Sequence, residues 1–359
     1  MVKRKYSAMK RKKIEPAAMT FFVPGAVNAV SIPNTGVRTS FYLDLSQVAS
    51  LMNRRFYRQG LNWAVAGIKI QSTISDGSIE VAKLPNTWVM ANSYTKGFKA
   101  WQKMNEEALS ETESVRPRFL DFKIYADDEH WKSGFANNLR PCAARPTALS
   151  LYEAGEWEPS KFVIPKTDGT DGIHNREVLA TGANYPTGGA TGLGAVSLIE
   201  GYAASRALPY QADPNAPDDA ASVNGNSPAN WMGALFNEGT DQVDQVLGDM
   251  ITENNVAPYP FEDGPNVTVG SLFPDPYADT MYPGGANQAP GLALHDAVFY
   301  SNTAETVSRV TYIKGGNFPC GLIKFNATNN GSGSATFNLI IDMVPGDHRG
   351  YHAHSMLEM

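Results

Sequence analysis

The chain has few of the features that mark a disulfide-rich or membrane-spanning protein. Its 359 residues include only two cysteines, Cys142 and Cys320, which are too few for a disulfide framework or a zinc site. We expect both to be small buried side chains of a protein from a reducing compartment. No run of about 18 apolar residues occurs, so the sequence predicts no membrane-spanning helix and no membrane insertion.

Motifs of the common enzyme classes are missing as well. A glycine-rich segment over 188–194 has neither the G-x-G-x-x-G nor the Walker spacing, and no Lys-Ser/Thr pair follows it. The G-x-S-x-G pattern of hydrolase nucleophiles does not occur. The sequence therefore predicts no catalytic residues, no cofactor and no enzyme activity.

The isolated histidines and one acidic cluster have structural interpretations. His130 and His174 lie in charged, turn-like sequence and are predicted to be exposed. His295 lies in a strand pattern and is predicted to be a hydrogen-bonded core residue. The acidic triplet at 127–129 is expected to be a solvated loop, with a calcium-bridged contact between subunits as the alternative.

One metal-like pattern stands near the C-terminus. Residues 346–358 fit G-x5-H-x-H-x3-E, the first metal motif of the cupins, in which His352, His354 and Glu358 would hold the metal. The pattern stops one residue before the sequence does, whereas a cupin site needs another histidine from a later strand. We therefore expect a mobile polar tail at 352–359 and no metal. A cupin-like metalloenzyme or a sugar-binding protein remains the alternative.

The N-terminus has no acidic residue before Glu15 but carries seven cationic ones, here called the basic arm. They are Lys3, Arg4, Lys5, Lys10, Arg11, Lys12 and Lys13. Subtracting these seven from the 30 Lys and Arg leaves 23 against 36 Asp and Glu, so residues 14–359 carry a formal charge of −13. A self-repelling segment with few apolar residues is expected to be disordered when free, and its cations suit the phosphates of a nucleic acid.

Three interpretations of the basic arm compete. It is a solvated terminus or nuclear-import signal, the charged part of a signal peptide whose apolar part is 17–30, or a nucleic-acid tether. Glu15 and Pro16 separate the cations from the apolar residues, and Pro24 and Gly25 interrupt them, which argues against a signal peptide. The arm alone does not separate the other two interpretations.

Alternating apolar residues predict β-strands at both ends of the chain. Residues 37–45, 62–73 and 78–84 are the N-terminal candidates, and the last two are predicted to form a hairpin through the Asp76–Gly77 turn. Strand patterns return after residue 292 as LALHDAVFY, TVSRVTYI, CGLIKFNA and ATFNLIIDMV, with a hairpin loop, NNGSG, between the last two. This split signal predicts one antiparallel sandwich with a mid-chain insertion.

Two helices are predicted among these strands. Residues 46–58 indicate a short helix with Ser46 as its N-cap. Residues 88–109 indicate a longer one, whose stripe of Tyr94, Phe98 and Trp101 should pack on a sheet.

The segment between the two strand regions has a different composition. Residues 165–292 are rich in glycine, proline and acidic residues and are expected to be loops at the surface or in a protrusion. A strand-like segment at 196–204 and a helix-like one at 241–251 lie within it. Before the first strand pattern, residues 1–36 are expected to be the disordered arm and an extended linker.

Four stretches of the chain resemble the capsid proteins of small circular Rep-encoding single-stranded DNA (CRESS-DNA) viruses. They are residues 88–104, 117–125, 318–323 and 339–351, the last of which contains Val-Pro-Gly-x-x-Arg-Gly. The resemblance implies an all-β, eight-stranded antiparallel jelly roll with short helices over 37–351. It also implies that copies of the chain assemble into an icosahedral shell around a single-stranded DNA genome.

The resemblance assigns the cationic residues a role in packaging. The basic arm, with Arg54, Arg55 and Arg58, would contact phosphates without reading the sequence of bases; for these three arginines a solvated helix face is the alternative. The implied partners are further copies of the chain, the nucleic acid and a host receptor. The implied locations are the virion and, during assembly, the host nucleus. The same fold in small RNA viruses leaves an RNA genome as the alternative.

Overall fold

The computed structural model describes residues 16–108, 121–144, 148–165, 173–206, 231–234, 291–301 and 310–356. The basic arm, the helix-like segment at 241–251 and Glu358 lie outside these residues. The described part is mostly antiparallel β-structure with few helices, as the strand patterns predict. None of its helices has both the length and the apolar character needed to cross a membrane.

The described elements are numbered in chain order. The strands are β1 (Thr20–Val23), β2 (Thr39–Asp44), β3 (Leu61–Ser72), β4 (Gly77–Lys83), β5 (Cys142–Ala144), β6 (Leu149–Leu151), β7 (Lys161–Pro165), β8 (Ile173–Leu179), β9 (Gly194–Ser197), β10 (Ala293–Tyr300), β11 (Val310–Phe318), β12 (Leu322–Asn329), β13 (Phe337–Met343), β14 (Pro345–Gly346), β15 (Gly350–Tyr351) and β16 (Ala353–Ser355). The helices are α1 (Leu45–Asn53), α2 (Trp88–Ala108), α3 (Asp128–Ser133), α4 (Leu198–Arg206) and α5 (Trp231–Ala234).

Two antiparallel sheets form the main body. The first has the order β1, β13, β3, β11, and β16 extends it by pairing with the start of β3. The second has the order β10, β4, β12, β2. Strands from the two ends of the chain are therefore neighbours in both sheets, as the split strand signal predicts.

The two predicted hairpins are wrong, although their strands are present. Strand β3 belongs to the first sheet and β4 to the second, and β12 and β13 are divided in the same way. The turns at 73–76 and 330–336 carry the chain across the core instead of returning it along the same sheet. They also meet, because Asn330 N–H donates to the Asp76 carbonyl at 2.8 Å. Gly77 is required at this crossing, since a Cβ there would lie 2.2 Å from the Thr328 carbonyl oxygen.

Apolar side chains from both sheets share one core. Ile68 and Ile341 from the first sheet are in the same buried cluster as Val81 and Phe325 from the second. The segment predicted as an extended linker also contributes to this cluster, with Phe21, Val23, Val30 and Ile32 all buried. Its four-residue strand β1 is too short for the alternation to stand out in the sequence, but its pairing with β13 buries every second residue.

A second core lies around α2. The predicted stripe is present, with Tyr94 buried and Phe98 and Trp101 half-buried, and all three rings contact Phe122. This core also contains Phe162, Val178, Val196, Leu198 and Trp231, which come from β7, β8, β9, α4 and α5. The stripe therefore packs in an apolar core, as expected for such a helix.

The described parts of 165–292 are more ordered than the predicted loops. Strands β7 and β8 pair antiparallel, and β8 and β9 pair parallel, in a separate three-stranded sheet. The segment predicted as a strand at 196–204 is mostly the helix α4, because its buried residues Leu198, Ile199 and Tyr202 recur at helical spacing. These elements bury the second core, so this region is not simply a surface insertion.

Helix α1 is present, but its N-cap is Asp44 and not Ser46. The Asp44 carboxylate accepts hydrogen bonds from the N–H groups of Ser46 at 2.8 Å and Gln47 at 3.4 Å. The Ser46 hydroxyl instead accepts from the Trp63 indole N–H at 3.1 Å. Asp44 is completely buried, and burial raises the pKa of its carboxyl to about 6 despite these donors.

The predicted mobile tail and the two thiols also differ from expectation. Strand β16 pairs with β3, and Tyr351 and Met356 on either side of it are buried, so residues 352–356 belong to the folded body. In this segment apolar residues alternate with exposed histidines, so the sequence pattern does not indicate that Tyr351 and Met356 are buried. Cys320 is buried as predicted, whereas Cys142 is only half-buried, and both are free thiols.

Candidate nucleic-acid interface

The point where the basic arm joins the body is held by a short hydrogen-bond chain. Ala18 N–H donates to Asn53 Oδ1 at 2.9 Å, and Asn53 Nδ2 donates to the Tyr351 hydroxyl at 2.7 Å. The Tyr351 hydroxyl donates in turn to the Ala18 carbonyl at 2.6 Å. Residue 18, which follows the basic arm in sequence, therefore lies at the C-terminal end of α1.

The three arginines predicted to extend the basic surface follow that same end of α1. Arg54 caps the helix with a left-handed backbone, φ 52°, and its N–H donates to the Ser50 carbonyl. Arg54, Arg55 and Arg58 are all exposed. The structure thus brings them to the root of the basic arm, which the sequence alone did not predict.

A fourth arginine at this site was missed by the sequence analysis. Arg349 lies in the turn between β14 and β15, with a φ of 50°. Its Nη1 donates to the Phe56 carbonyl at 2.6 Å, and its own carbonyl accepts from the Tyr57 hydroxyl at 3.1 Å. These two bonds hold the turn against the residues that follow α1. Nearly 300 residues separate the partners in sequence, so no local pattern could have indicated the contact.

Arg58 and Arg349 line a cleft of about 480 Å³, here called the basic cleft. Four aromatic residues line it, here called the aromatic wall: Phe56, Phe98, Phe122 and Tyr94. The ring centroids of Phe98 and Phe122 lie 5.9 Å apart, and those of Tyr94 and Phe122 lie 5.7 Å apart. The two arginines, His348 and His354 also line the cleft.

The floor of the basic cleft depends on a glycine. Gly60 has a φ of 65°, and a Cβ there would lie 2.1 Å from the Tyr94 hydroxyl oxygen. Any larger residue at this position would be strained and would clash with the Tyr94 side chain of α2. Gly60 therefore leaves space for the Tyr94 ring beside the segment that carries Arg58.

The charge of the basic cleft is one-sided. No described residue that lines it is acidic, whereas two arginines and two histidines are present. Burial, and then the charge of Arg349, lowers the pKa of His348, so this imidazole is mainly neutral at neutral pH. The two guanidinium groups keep the cleft positive under the same conditions.

A neighbouring depression on the other side of Phe56 has a different charge balance. Arg54 and Arg55 line it with Trp157, but so do Asp121 and Glu156. The Lys123 ammonium is buried beside it, contacts Asp121 and lies 4.4 Å from the centre of the Trp157 ring. Its charges are thus largely compensated, so the basic cleft is the stronger anion site of the two.

Of the two histidines in the cupin-like pattern, His354 lines the basic cleft and His352 does not. His352 and His354 are exposed, and their ring centroids are 4.7 Å apart. Within the described residues, no group of three or more His, Cys, Asp or Glu side chains is arranged to hold a metal. The geometry instead places His354 with the arginines.

His130 and the acidic triplet turn out to be structural. His130, predicted to be exposed, is fully buried, and its Nδ1 accepts from Ala126 N–H at 3.1 Å. The triplet is no solvated loop, because Asp127 and Glu129 each contact the Lys324 ammonium at 2.8 Å. Asp127 also caps α3.

The other two histidines are only partly buried. His295 is half-buried, and its Nε2 lies 2.8 Å from the Lys314 carbonyl oxygen, so the predicted hydrogen bond is present near the surface. His174, predicted to be exposed, is half-buried in β8. Neither of them lines the basic cleft.

No protein-family model, curated protein or solved structure matches this chain. The functional interpretation therefore depends on the geometry of the chain itself and on general physical chemistry.

Proposed function

We propose that the chain is a viral capsid protein that self-assembles into an icosahedral shell and packages a single-stranded DNA genome. The observation that carries this proposal is the group of exposed arginines near the residues to which the basic arm is joined. Ala18 bonds to Asn53 at the end of α1, and Arg54, Arg55, Arg58 and Arg349 are exposed in the segments around that end. A cationic arm with a basic patch at its base is suited to backbone-directed binding of a polyanion.

The strand connectivity supports a jelly-roll interpretation of the sandwich. Strands β1, β3, β11 and β13 belong to one sheet and β2, β4, β10 and β12 to the other. In chain order, successive strands of this set change sheet at every connection except β4 to β10. Two facing four-stranded sheets linked by repeated crossings are typical of jelly rolls, an architecture that viral shells use.

Exposed apolar residues support self-association. Leu294, Phe299 and Tyr312 are 64%, 78% and 71% exposed. They lie on β10 and β11, each of which is at one edge of its sheet. Edge strands with exposed large apolar side chains are rarely left uncovered in natural proteins. We assign these edges to contacts between copies of the chain in the shell.

The proposal also implies where the protein is found and which of its surfaces meets the host. The protein would be found in the virion and, during assembly, in the host nucleus. The parts of 165–292 outside the second core would lie on the outer surface and meet a host receptor. DNA as the packaged nucleic acid is part of the proposal and is tested separately below.

Electron microscopy of the purified full-length protein tests the proposal. We expect closed particles of uniform diameter that contain nucleic acid protected from nucleases. After the particles are opened, DNase should degrade the contents and RNase should not; the reverse result would favour an RNA virus. A monomer or small oligomer without nucleic acid would contradict the capsid assignment. One tightly held metal per chain would favour the cupin-like alternative.

A further inference from the structure

We propose that the basic cleft binds one nucleotide of a single strand, with its base on the aromatic wall and its phosphate on the arginines. This inference rests on the proposed function and names the contact that the packaged strand makes with the folded body. It assigns the cleft a preference for unpaired bases, which phosphate contacts by the arm cannot supply.

The aromatic wall offers a platform for a base. Phe56 and Phe98 are only half-buried, and both line the cleft. The Phe98 ring packs against the rings of Phe122 and Tyr94, which are both buried. Base stacking on such rings tolerates any base sequence, because every base has a π-face.

The two arginines of the cleft suit a phosphate group. The Arg349 guanidinium is held in place through its bond to the Phe56 carbonyl, and Arg58 approaches from the segment after α1. An arginine presents several N–H donors in a plane, which matches phosphate oxygens. A cleft lined by both aromatic rings and arginines can contact the base and the phosphate of a single nucleotide.

The dimensions and surroundings of the cleft also fit this occupant. Its volume of about 480 Å³ is within the range of small-ligand sites, which is about 300–1,000 Å³. The absence of any carboxylate among its described lining residues removes repulsion of a phosphate. A duplex would not fit, because its bases are stacked on each other and are not available to the wall.

The position of the cleft connects it to the arm. Arg349 is two residues from Tyr351, whose hydroxyl binds the Ala18 carbonyl at the arm root. A strand held by the arm through its phosphates would therefore pass the mouth of the cleft. The arm and the cleft would then act on neighbouring nucleotides.

The test compares oligonucleotides with and without bases, using the full-length protein. A fluorescent single-stranded thymidine oligonucleotide and an abasic oligonucleotide of the same length carry the same phosphates but differ in stacking. We expect the unmodified protein to bind the thymidine strand about tenfold more tightly than the abasic strand, from one stacked base. Fluorescence anisotropy at several salt concentrations measures both affinities.

Two pairs of variants locate the effect. Phe98→Leu should remove most of the preference for bases and leave abasic binding unchanged. Trp101→Leu is its matched control, because Trp101 is on the same helix stripe and contacts Phe122 but does not line the cleft.

Arg58→Gln should make the salt dependence of log K shallower by about 0.7 for both strands. Arg38→Gln, an exposed arginine paired with Glu80 outside the cleft, should leave it unchanged.

The outcomes separate this inference from the capsid proposal. Equal affinity for thymidine and abasic strands, or equal loss in Phe98→Leu and Trp101→Leu, would overturn the nucleotide cleft. Salt-dependent binding and nucleic-acid-filled particles would still support the capsid assignment in that case. Tighter binding of a duplex than of the thymidine strand would also overturn the inference.

Discussion

At the scale of single residues, His130 shows how the core fixes one protonation state. Its Nδ1 accepts from a backbone N–H, so the proton lies on Nε2, which donates to Asn138 Oδ1 at 2.8 Å. Burial lowers the pKa of the imidazole to about 4, against an ordinary value of 6.5. Between pH 6.5 and about 4, His130 is therefore mainly neutral in the folded protein and mainly protonated in the unfolded chain.

His130 should make the protein acid-sensitive between pH 6.5 and 4. In this window the unfolded state binds more protons, so the free energy of unfolding falls by about 3 kcal/mol from this group as the pH decreases. Urea unfolding across this range measures it. In a His130→Gln variant this contribution should vanish, so the difference in stability between the two proteins should shrink towards pH 4. A constant difference would contradict the neutral buried histidine.

The Asp44 carboxyl changes stability with pH in the direction opposite to His130, so the two contributions must be measured separately. Its folded pKa of about 6 lies above the ordinary value of 3.8, so its contribution to stability is lost as the pH rises from about 4 to 6. The two slopes partly cancel in the unmodified protein. The comparison with His130→Gln is therefore informative where the pH profile of the unmodified protein alone is not.

At the scale of elements, one cluster of charges joins α3 to the second sheet. Lys324 on β12 contacts Asp127 and Glu129, and its side chain is only 11% exposed. Burial alone would lower the pKa of this ammonium, but the two carboxylates raise it above its ordinary value. The Tyr42 hydroxyl on the neighbouring strand β2 donates to Asp127 Oδ1 at 2.7 Å.

Lys324→Met should therefore be strongly destabilising. It leaves the mostly buried Asp127 without its cation, which costs about 3 kcal/mol. Lys132→Met is a matched control, because Lys132 pairs with Asp128 in the same triplet on an exposed helix turn, and its loss should cost less than about 0.5 kcal/mol. Urea unfolding at neutral pH measures both. Equal effects would mean that the Lys324 cluster is only a surface ion pair.

The same elements show what the sequence could and could not predict. Alternation correctly located β2, β3, β4 and β10 to β13, because it reflects which face of each strand is buried. It could not assign strands to sheets, since a turn such as Asp76–Gly77 fits both a hairpin and a crossing between sheets. Arg54, Arg55 and Arg58 stand together in sequence and were predicted as a group. Arg349 and the basic cleft depend on contacts between distant segments, which no local pattern contains.

At the scale of the whole molecule, the charge asymmetry predicts how the protein holds nucleic acid. The basic arm carries seven cations, whereas residues 14–359 carry a formal charge of −13. If all seven contact phosphates of a single strand, log K should fall with log[salt] at a slope of about −5. Phosphate contacts by Arg54, Arg55, Arg58 and Arg349 make this slope steeper, by a smaller amount than the contacts of the arm.

Deleting residues 2–13 should remove most of that slope and reduce the nucleic acid bound per chain. Folding should persist, because the deleted segment has too few apolar residues to add to a core. Replacing its seven Lys and Arg by Gln keeps the length, so that variant separates the effect of charge from that of chain length. Salt titrations of oligonucleotide binding and the absorbance of purified particles measure both changes.

Unchanged nucleic-acid content with the same salt dependence in both variants would mean that the arm is a targeting signal. Packaging would then have to depend on the folded body, and the exposed arginines around the basic cleft would be its main contacts.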